Sequence, residues 1–288
     1  NGLIGSVDLA GGSYPSAKFH GYIGGGDDRG GWLIEGVQLW SNGFKILDSG
    51  GNTGFDRTEL MAKGRINIDT DNQLELKLGF AREDSNETYL GLHPNDYETS
   101  PLRRYVASDA DHMRWYRTQA ELFWDIRFSR HLNMRTTAYH HYLTRAWSKF
   151  ASFVDGPNPH TLLQSTDQGV GAVYLDILRG EQDSFANGEH LIIGTNDRQF
   201  HSGGIQSVVQ MALGQDKPVS ANGEIGIRLH YDWVQRKTYD DIYGVVSGAL
   251  ERSDTDTLLS ADKVSSALAL ALHNHWDVQF GRVHLQPG

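Results

Sequence analysis

Apolar and polar residues alternate strictly along residues 72–81. The even positions are apolar and the odd positions are polar or glycine, a period of two that predicts a β-strand with one apolar face. Residues 57–68, 118–128 and 224–233 repeat this alternation. Weaker alternation predicts further strands at 3–12, 17–26, 31–41, 132–143, 200–213 and 264–277, with a partial strand from residue 282 onward. The pattern therefore predicts an all-β chain of about eleven strands.

The predicted connections alternate between short and long. The short ones lie near 27–30, 69–72, 129–131, 214–222 and Gln279, and the long ones near 42–56, 84–115, 144–199 and 238–263. Antiparallel strands joined in this order place every long connection at one end of the sheet. Outer-membrane barrels have this organisation, because their periplasmic turns are short and their extracellular loops are long. The connections therefore predict an antiparallel transmembrane β-barrel whose apolar face meets lipid.

Composition and charge are compatible with this interpretation. The mean hydropathy of -0.47 resembles that of a soluble protein, but a transmembrane barrel alternates lipid-facing and lumen-facing residues and has a similar average. The chain has no cysteine, which excludes disulfides, thiolate metal sites and cysteine nucleophiles. A net charge of -10 argues against a nucleic-acid partner, because phosphate binding needs a basic face.

Several aromatic residues lie near the loop-side ends of predicted strands, where a membrane-interface girdle would place them. They are Trp40, Trp115, Tyr116, Tyr142, Trp147 and Trp233. Ordinary strand preference explains the same positions, so this alternative stays open.

If the sheet of about eleven strands is open, its first and last strands each have an unpaired edge. In hydrocarbon, an unpaired edge leaves backbone groups without hydrogen bonds, at several kcal/mol each. Either more strands follow or the sheet closes with a second chain. The chain begins at Asn1 without an initiator methionine, and we interpret it as a piece of a longer protein.

Two stretches carry a resemblance to a known family. Residues 13–66 contain SNGFK followed by TGFD, and residues 86–108 contain ETYLGL followed by RRY. The first stretch resembles the opening strands of TonB-dependent outer-membrane receptors, and the second resembles the third extracellular loop of the ferric-citrate and ferric-siderophore group. The resemblance spans most of the chain.

The resemblance implies a 22-strand barrel with an N-terminal plug domain and a box that contacts TonB. It implies transport of a ferric chelate in the outer membrane of a Gram-negative bacterium, with iron present only as part of the chelate and no resident cofactor. Residues 1–288 would form the N-terminal half of the barrel, with the plug domain absent. The sequence leaves open which chelate is carried and whether the truncation is natural.

Candidate ligand-binding residues lie in the predicted long loop 84–115, since binding surfaces on rigid scaffolds use their connections. Arginine suits anionic groups and aromatic rings suit apolar ones. The candidates are Tyr89, Arg103, Arg104, Tyr105, Arg114, Trp115 and Tyr116, with Tyr97 also able to pack against a ligand. The alternative is that the loop folds on itself, its arginines pairing with Asp109, Asp111, Glu87 or Glu98. The polar strand faces would line the lumen and contact the plug, through Glu75, Lys77, Glu121, Asp125, Arg127, Glu224, Arg228 and Asp232.

Three other features were weighed. Apolar residues from Val170 to Leu178 follow a helical spacing that ends near Gly180 and predict a short helix, as a lid or as packing between loops. Among thirteen histidines, adjacent His140 and His141 must point to opposite faces of a strand. His273 and His275 share a face opposite a leucine series, so we predict that they face the lumen without forming a metal site.

No enzyme motif is recognisable. The Gly24–Gly26 run precedes a turn rather than a helix, and Ser207 lacks the spacing of a nucleophile elbow. We predict transport without catalytic residues. Two alternatives are a plugless porin-like channel or structural outer-membrane barrel, and a soluble β-sandwich that binds carbohydrate.

Overall fold

The computed structural model describes residues 2–164, 168–214 and 217–287. Within these residues, twelve strands form one antiparallel sheet, and two short strands form a separate parallel pair. The strands are β1 Gly2–Gly12, β2 Ser16–Asp27, β3 Gly30–Ser41, β4 Ile46–Leu47, β5 Phe55–Asn67, β6 Asn72–Ser85, β7 Arg103–Arg104, β8 His112–Ser129, β9 Leu132–Phe153, β10 Leu191–Leu213, β11 Val219–Val246, β12 Ala249–Arg252, β13 Leu258–Phe280 and β14 Val283–Leu285. The helices are α1 Pro94–Thr99, α2 Pro159–Leu163 and α3 Val170–Arg179, with 3-10 turns at Val106–Ser108 and Asn187–Glu189.

Each long strand pairs with its neighbours in the sequence, so the sheet is an up-and-down meander in the order β1, β2, β3, β5, β6, β8, β9, β10, β11, β13 and β14. The small sheet joins β4 to β7 and thereby ties the β3–β5 connection to the β6–β8 connection. The large sheet does not close in the described part of the chain, where β1 pairs with β2 alone. The antiparallel barrel-type sheet that the sequence predicts is confirmed.

The two faces of the sheet have opposite character. On one face Leu76 lies directly opposite Gly64 and Leu122, and these leucines are exposed. On the other face the adjacent row places Lys77 opposite Glu121. The polar face is concave, because a cavity of about 1030 Å³ is lined by inner-face residues of strands from β6 to β13. We call the concave polar face the inner face and the apolar face the outer face.

The strands from β9 onward are longer than the alternation predicts. β9, β10, β11 and β13 have 22, 23, 28 and 23 residues, or roughly 75 Å and more at about 3.3 Å per residue. The connections predicted at 144–199 and 238–263 are therefore shorter, at 154–190 and 247–257. The predicted loop 84–115 is shorter as well, because its first two residues belong to β6 and its last four residues belong to β8. Residues 215–216 of the predicted turn 214–222 lie outside the described residues.

An aromatic belt lies on the outer face at the loop-side end of the apolar band. Tyr116 and Tyr142 have ring centroids 5.7 Å apart, and the His201 ring lies 4.7 Å from Tyr142 and 5.4 Å from Trp233. Trp40 belongs to the same face by register. Trp115 and Trp147, which were placed in the same girdle from the sequence, point to the inner face instead, because odd positions of β8 and β9 pair with inner-face residues. We call the strand segments beyond the belt, on the loop side, the strand extensions.

The hydrophobic core lies among the loops. Buried residues of the 86–111 connection, of α2 and α3, and of the strand extensions pack together. They are Tyr105, Val106, Ala107, Phe150, Phe153, Leu162, Leu175, Ile177, Leu178, Leu191, Ile193 and Val245. The predicted helix is confirmed as α3, whose C-terminus is capped by Gly180 at a φ of 80°. Its apolar stripe packs into this loop core. Among the described residues, no helix is both long and apolar enough to cross a membrane.

Candidate functional site

Two of the sequence-predicted ligand residues, Arg104 and Tyr105, lie inside the loop core, 5% and 1% exposed. The Arg104 guanidinium donates to Ser108 Oγ at 2.8 Å and to the Ser108 carbonyl at 2.6 Å. The Tyr105 hydroxyl donates to Asp96 and accepts from the His93 amide at 2.9 Å. Burial lowers the pKa of Arg104, and burial together with the Asp96 hydrogen bond raises the pKa of Tyr105. Both side chains stabilise the loop and present no group to a ligand in this arrangement.

Arg103 joins three connections. Its guanidinium contacts Asp48 at 2.9 Å, Asp96 at 3.3 Å and Glu181 at 3.1 Å. Burial lowers the pKa of Arg103, but hydrogen bonds to Asp48 and Glu181 outweigh it and raise the pKa overall. Asp96 also contacts Arg179 at 2.9 Å. The loop therefore folds on itself, as the sequence-based alternative proposed, although its acidic partners are not the ones that the sequence suggested.

Arg114, Trp115 and Tyr116 belong to strand β8 and alternate between its faces. Arg114 lies opposite Asp84 and Tyr116 opposite Arg82, on the outer face. Only Trp115 of the three points inward. The prediction grouped them as one loop surface because the loop was taken to end at residue 115, and the period of two separates them. Arg114 and Tyr116 do not share a face with the inner-face residues described next.

A row of four cationic side chains crosses the inner face in the strand extensions. Arg145 lies directly opposite Arg198, Arg198 opposite Arg236, and Arg236 opposite Lys263. We call these four residues the basic row. Burial lowers the pKa of Arg198, and the positive charges of Arg145 and Arg236 lower it further. No salt bridge joins any member of the row to an acidic side chain among the described residues.

Aromatic rings surround one end of the basic row. Trp115 lies directly opposite Arg145. The Trp147 ring lies 4.8 Å from the ring of Tyr89, which reaches it from the 86–111 connection. Lys149 Nζ lies 3.9 Å from the Tyr89 ring centroid and 4.9 Å from that of Trp147, within the range of cation–π attraction. Of the predicted ligand residues, Tyr89 and Trp115 are thus brought to the basic row.

Two nitrogen donors in this cluster have no acceptor. Arg145 Nε and Trp147 Nε1 are buried and without a hydrogen-bond partner in the described structure. Buried donors are almost always paired, since leaving one unpaired costs its full desolvation. The cluster can therefore accept an anion that provides oxygen acceptors and offsets the charge of the row.

Sequence reasoning did not name Arg145, Lys149 and Arg198, because they fall in the predicted connection 144–199. It also did not name Arg236, which lies just beyond the predicted strand 224–233, and it assigned Trp147 to the girdle. The missed indication is the alternation of small residues with basic and aromatic ones in the stretch TRAWSK, residues 144–149. This pattern has a period of two like the recognised strands, but its outer-face residues are small and polar rather than apolar.

The inner face nearer the short turns is polar and internally paired. Lys77 Nζ and His141 Nε2 lie 3.2 Å and 3.1 Å from the Glu121 carboxylate. The Tyr139 hydroxyl accepts from Arg228 Nε at 2.9 Å and lies 2.6 Å from His230 Nδ1. All eight residues predicted to face the lumen lie on this face: Glu75, Lys77, Glu121, Asp125, Arg127, Glu224, Arg228 and Asp232. Their role in lining a transport path stays a prediction.

The histidines follow the predicted geometry. His141 faces inward to Glu121, whereas His140 faces outward, 3.2 Å from His201. His273 faces inward, 3.7 Å from Glu224. No group of three or more histidine and acidic side chains in the described residues is arranged to hold a metal ion.

Comparison with known proteins identifies the fold. No protein-family model and no curated protein matches the sequence. The solved structure of the ferric citrate transporter FecA, in its unliganded form, is similar with a TM-score of 0.65 at 13% identity, over 99% of this chain and 36% of that chain. The RagAB peptide transporter is similar with a TM-score of 0.53 at 11% identity, over 93% of this chain and 30% of that chain.

This chain therefore spans about a third of the length of the two proteins it matches. Similarity at these identities shows a shared fold, and the antiparallel barrel-type sheet that the sequence predicts is confirmed. One of these proteins is a ferric citrate transporter and the other is a peptide transporter, so the fold does not select the ligand.

Proposed function

We propose that this chain forms part of the barrel wall of an outer-membrane receptor that takes up a ferric chelate by TonB-dependent transport. The exposed apolar outer face supports a place in lipid, and the belt marks its loop-side boundary. The loop core then lies outside the cell, and the short turns face the periplasm. FecA, which shares the fold, is a ferric citrate transporter.

The basic row carries the proposal that the ligand is an anion. Like charges directly opposite one another on neighbouring strands destabilise a sheet. Here four positive charges lie side by side on four neighbouring strands, although the chain has a net charge of -10. None of the described salt bridges pairs a member of this row with an acidic residue. An anionic ferric chelate would offset the repulsion and accept charge-assisted hydrogen bonds from the guanidinium groups.

Transport of this kind makes and breaks no bond in the ligand, and iron is cargo. We infer that the paired polar residues nearer the short turns, such as Glu121 and Arg228, contact a plug domain that TonB moves. The ligand would bind at the basic row and descend along the inner face when the plug moves.

The test is uptake of radiolabelled ferric citrate by cells that carry the protein in their outer membrane. We expect Arg198→Gln to raise the ferric citrate concentration that gives half-maximal uptake roughly tenfold or more, because a hydrogen bond to a charged group is worth about 1.5–3 kcal/mol. Arg114→Gln is the matched control, since it removes the same group from the outer face. Equal effects of the two substitutions would contradict an inner-face anion site.

The same assay in cells without TonB separates this proposal from the channel alternative. Uptake through a plugless porin-like channel would continue without TonB and would not saturate. Loss of uptake without TonB, with saturation in its presence, supports the receptor.

A further inference from the structure

Arg145 and Trp147 are two positions apart on β9, so both side chains lie on the inner face. The Arg145 guanidinium carbon lies 5.8 Å from the Trp147 ring centroid. Arg145 Nε and Trp147 Nε1 are both buried and lack an acceptor in the described structure. Two neighbouring buried donors without an acceptor indicate a place prepared for oxygen atoms from outside the chain.

The surroundings favour a negatively charged oxygen donor. Arg198 lies directly opposite Arg145 and adds a second guanidinium. Lys149 Nζ lies over the rings of Trp147 and Tyr89 and forms no salt bridge in the described residues. No acidic side chain faces these cations at ion-pair distance in the part of the chain that the structure describes. A neutral carbonyl would satisfy the donors but leave this charge unbalanced.

Tyr89 packs against Trp147 and is itself open to solvent. Its ring lies 4.8 Å from Trp147, while 62% of its surface is exposed. It belongs to a segment of the 86–111 connection without regular secondary structure. Rotation of this one side chain would uncover the Trp147 ring without moving a strand.

We propose that Arg145 and Trp147 form a subsite for one carboxylate group of the transported ligand, with Lys149 supplying further positive charge and Tyr89 acting as a movable cover. A carboxylate is planar and presents two oxygens, so it can accept one hydrogen bond from each donor at once. This subsite selects chelates with free or peripheral carboxylates over uncharged ones. The inference rests on the proposed function and specifies the ligand chemistry at one end of the basic row.

Substitution of Trp147 by phenylalanine tests the subsite without emptying the position. Trp147→Phe keeps an aromatic ring against Tyr89 and removes only the Nε1 donor. We expect binding of ferric citrate to outer-membrane vesicles containing the protein to weaken about five- to tenfold, where tenfold corresponds to about 1.4 kcal/mol. Trp124→Phe, on the outer face, is the matched control and should leave binding unchanged. An unaltered heat-dependent gel mobility of each variant establishes that the barrel is folded.

Tyr89→Ala tests the cover. If Tyr89 must move to admit the carboxylate, its removal should raise the association and dissociation rates of ferric citrate together, each by severalfold. Dissociation that rises while association stays constant would instead make Tyr89 a direct contact and would overturn its role as a cover.

A second ligand separates failure of the subsite from failure of the proposed function. An uncharged ferric trihydroxamate has no carboxylate, and any binding of it should be unaffected by Trp147→Phe. If Trp147→Phe binds ferric citrate as tightly as the unaltered protein while Arg198→Gln binds it weakly, the subsite is wrong and the anion site stands. If the unaltered protein binds only the uncharged chelate, the anion site is wrong and the subsite falls with it. If it binds neither chelate, the proposed function is wrong as well.

Discussion

Replacing Leu76 by arginine tests whether the outer face meets lipid. Leu76 lies within the apolar series of β6 that runs from Leu74 to Phe80 and is 44% exposed in the protein alone. Nothing lies within 4 Å of the position that a Cβ would take at Gly64, its partner on β5. A guanidinium here would enter the surrounding medium rather than displace protein atoms.

The expected magnitude differs sharply between lipid and water. An arginine at the bilayer midplane on the lipid face of a barrel costs about 2–4 kcal/mol. On a water-exposed surface the same substitution changes the free energy of unfolding by less than about 0.5 kcal/mol. Gln119→Arg is the control, because Gln119 lies on the neighbouring strand β8 and faces inward.

The assay is guanidinium unfolding of the protein in phospholipid vesicles, followed by tryptophan fluorescence. We expect Leu76→Arg to lower the free energy of unfolding by about 2–4 kcal/mol and Gln119→Arg to change it much less. If both variants unfold like the unaltered protein, the outer face does not lie in hydrocarbon, and the membrane assignment of this sheet is refuted.

Three further predictions concern the loop core. Leu175→Ala in α3 should lower the stability of the loop core by about 2–5 kcal/mol, because Leu175 is fully buried. Val170→Ala on the same helix is the control and should change the stability little, because Val170 is 78% exposed. Protection of the loop amides from hydrogen exchange measures both effects. Asp96→Asn should lower the stability of the loop core by about 3 kcal/mol, because it removes the carboxylate that Arg179 contacts at 2.9 Å. The variant should be cleaved faster by protease in the 154–190 connection, and an unchanged cleavage rate would contradict this prediction. Burial raises the pKa of Asp111 to about 6 despite hydrogen bonds from Thr88 and the Phe150 amide, which lower it. The folded loop core therefore binds a proton between about pH 4 and pH 6 that the unfolded chain does not bind, so stability should rise as the pH falls through this window; Asp111→Asn should abolish the dependence in hydrogen-exchange measurements.

The loop core shows how side chains with ligand-binding chemistry can be engaged by contacts within the protein. Arg103 and Tyr105 had the right chemistry for a ferric chelate, yet both are held within the loops by Asp96. Their partners come from connections far apart in the sequence, such as Glu181 in the case of Arg103. A side chain's chemistry can be read from sequence, whereas whether that chemistry is already satisfied depends on which loops meet.

The sequence by itself determined the strands that cross the apolar band and the face on which each side chain lies. This was possible because lipid on one side and a polar interior on the other impose a period of two on every crossing strand. Neighbouring strands also follow one another in the chain, so their pairing needs no long-range information. The helix at 170–179 was equally readable, since its apolar spacing and its terminal glycine are local.

Only the tertiary structure decided how far the strands continue and what their extensions bring together. Just beyond the belt the outer-face residues of β9 and β10 are small or polar, so the alternation of apolar and polar positions that marks a strand ends there while the backbone ladder continues. Further along, apolar residues of the same strands pack into the loop core. The basic row depends on the register between β9, β10, β11 and β13, which places Arg145, Arg198, Arg236 and Lys263 side by side although they lie far apart in the chain. Register is a property of paired strands, and a one-residue slip would move each of these cations to the other face.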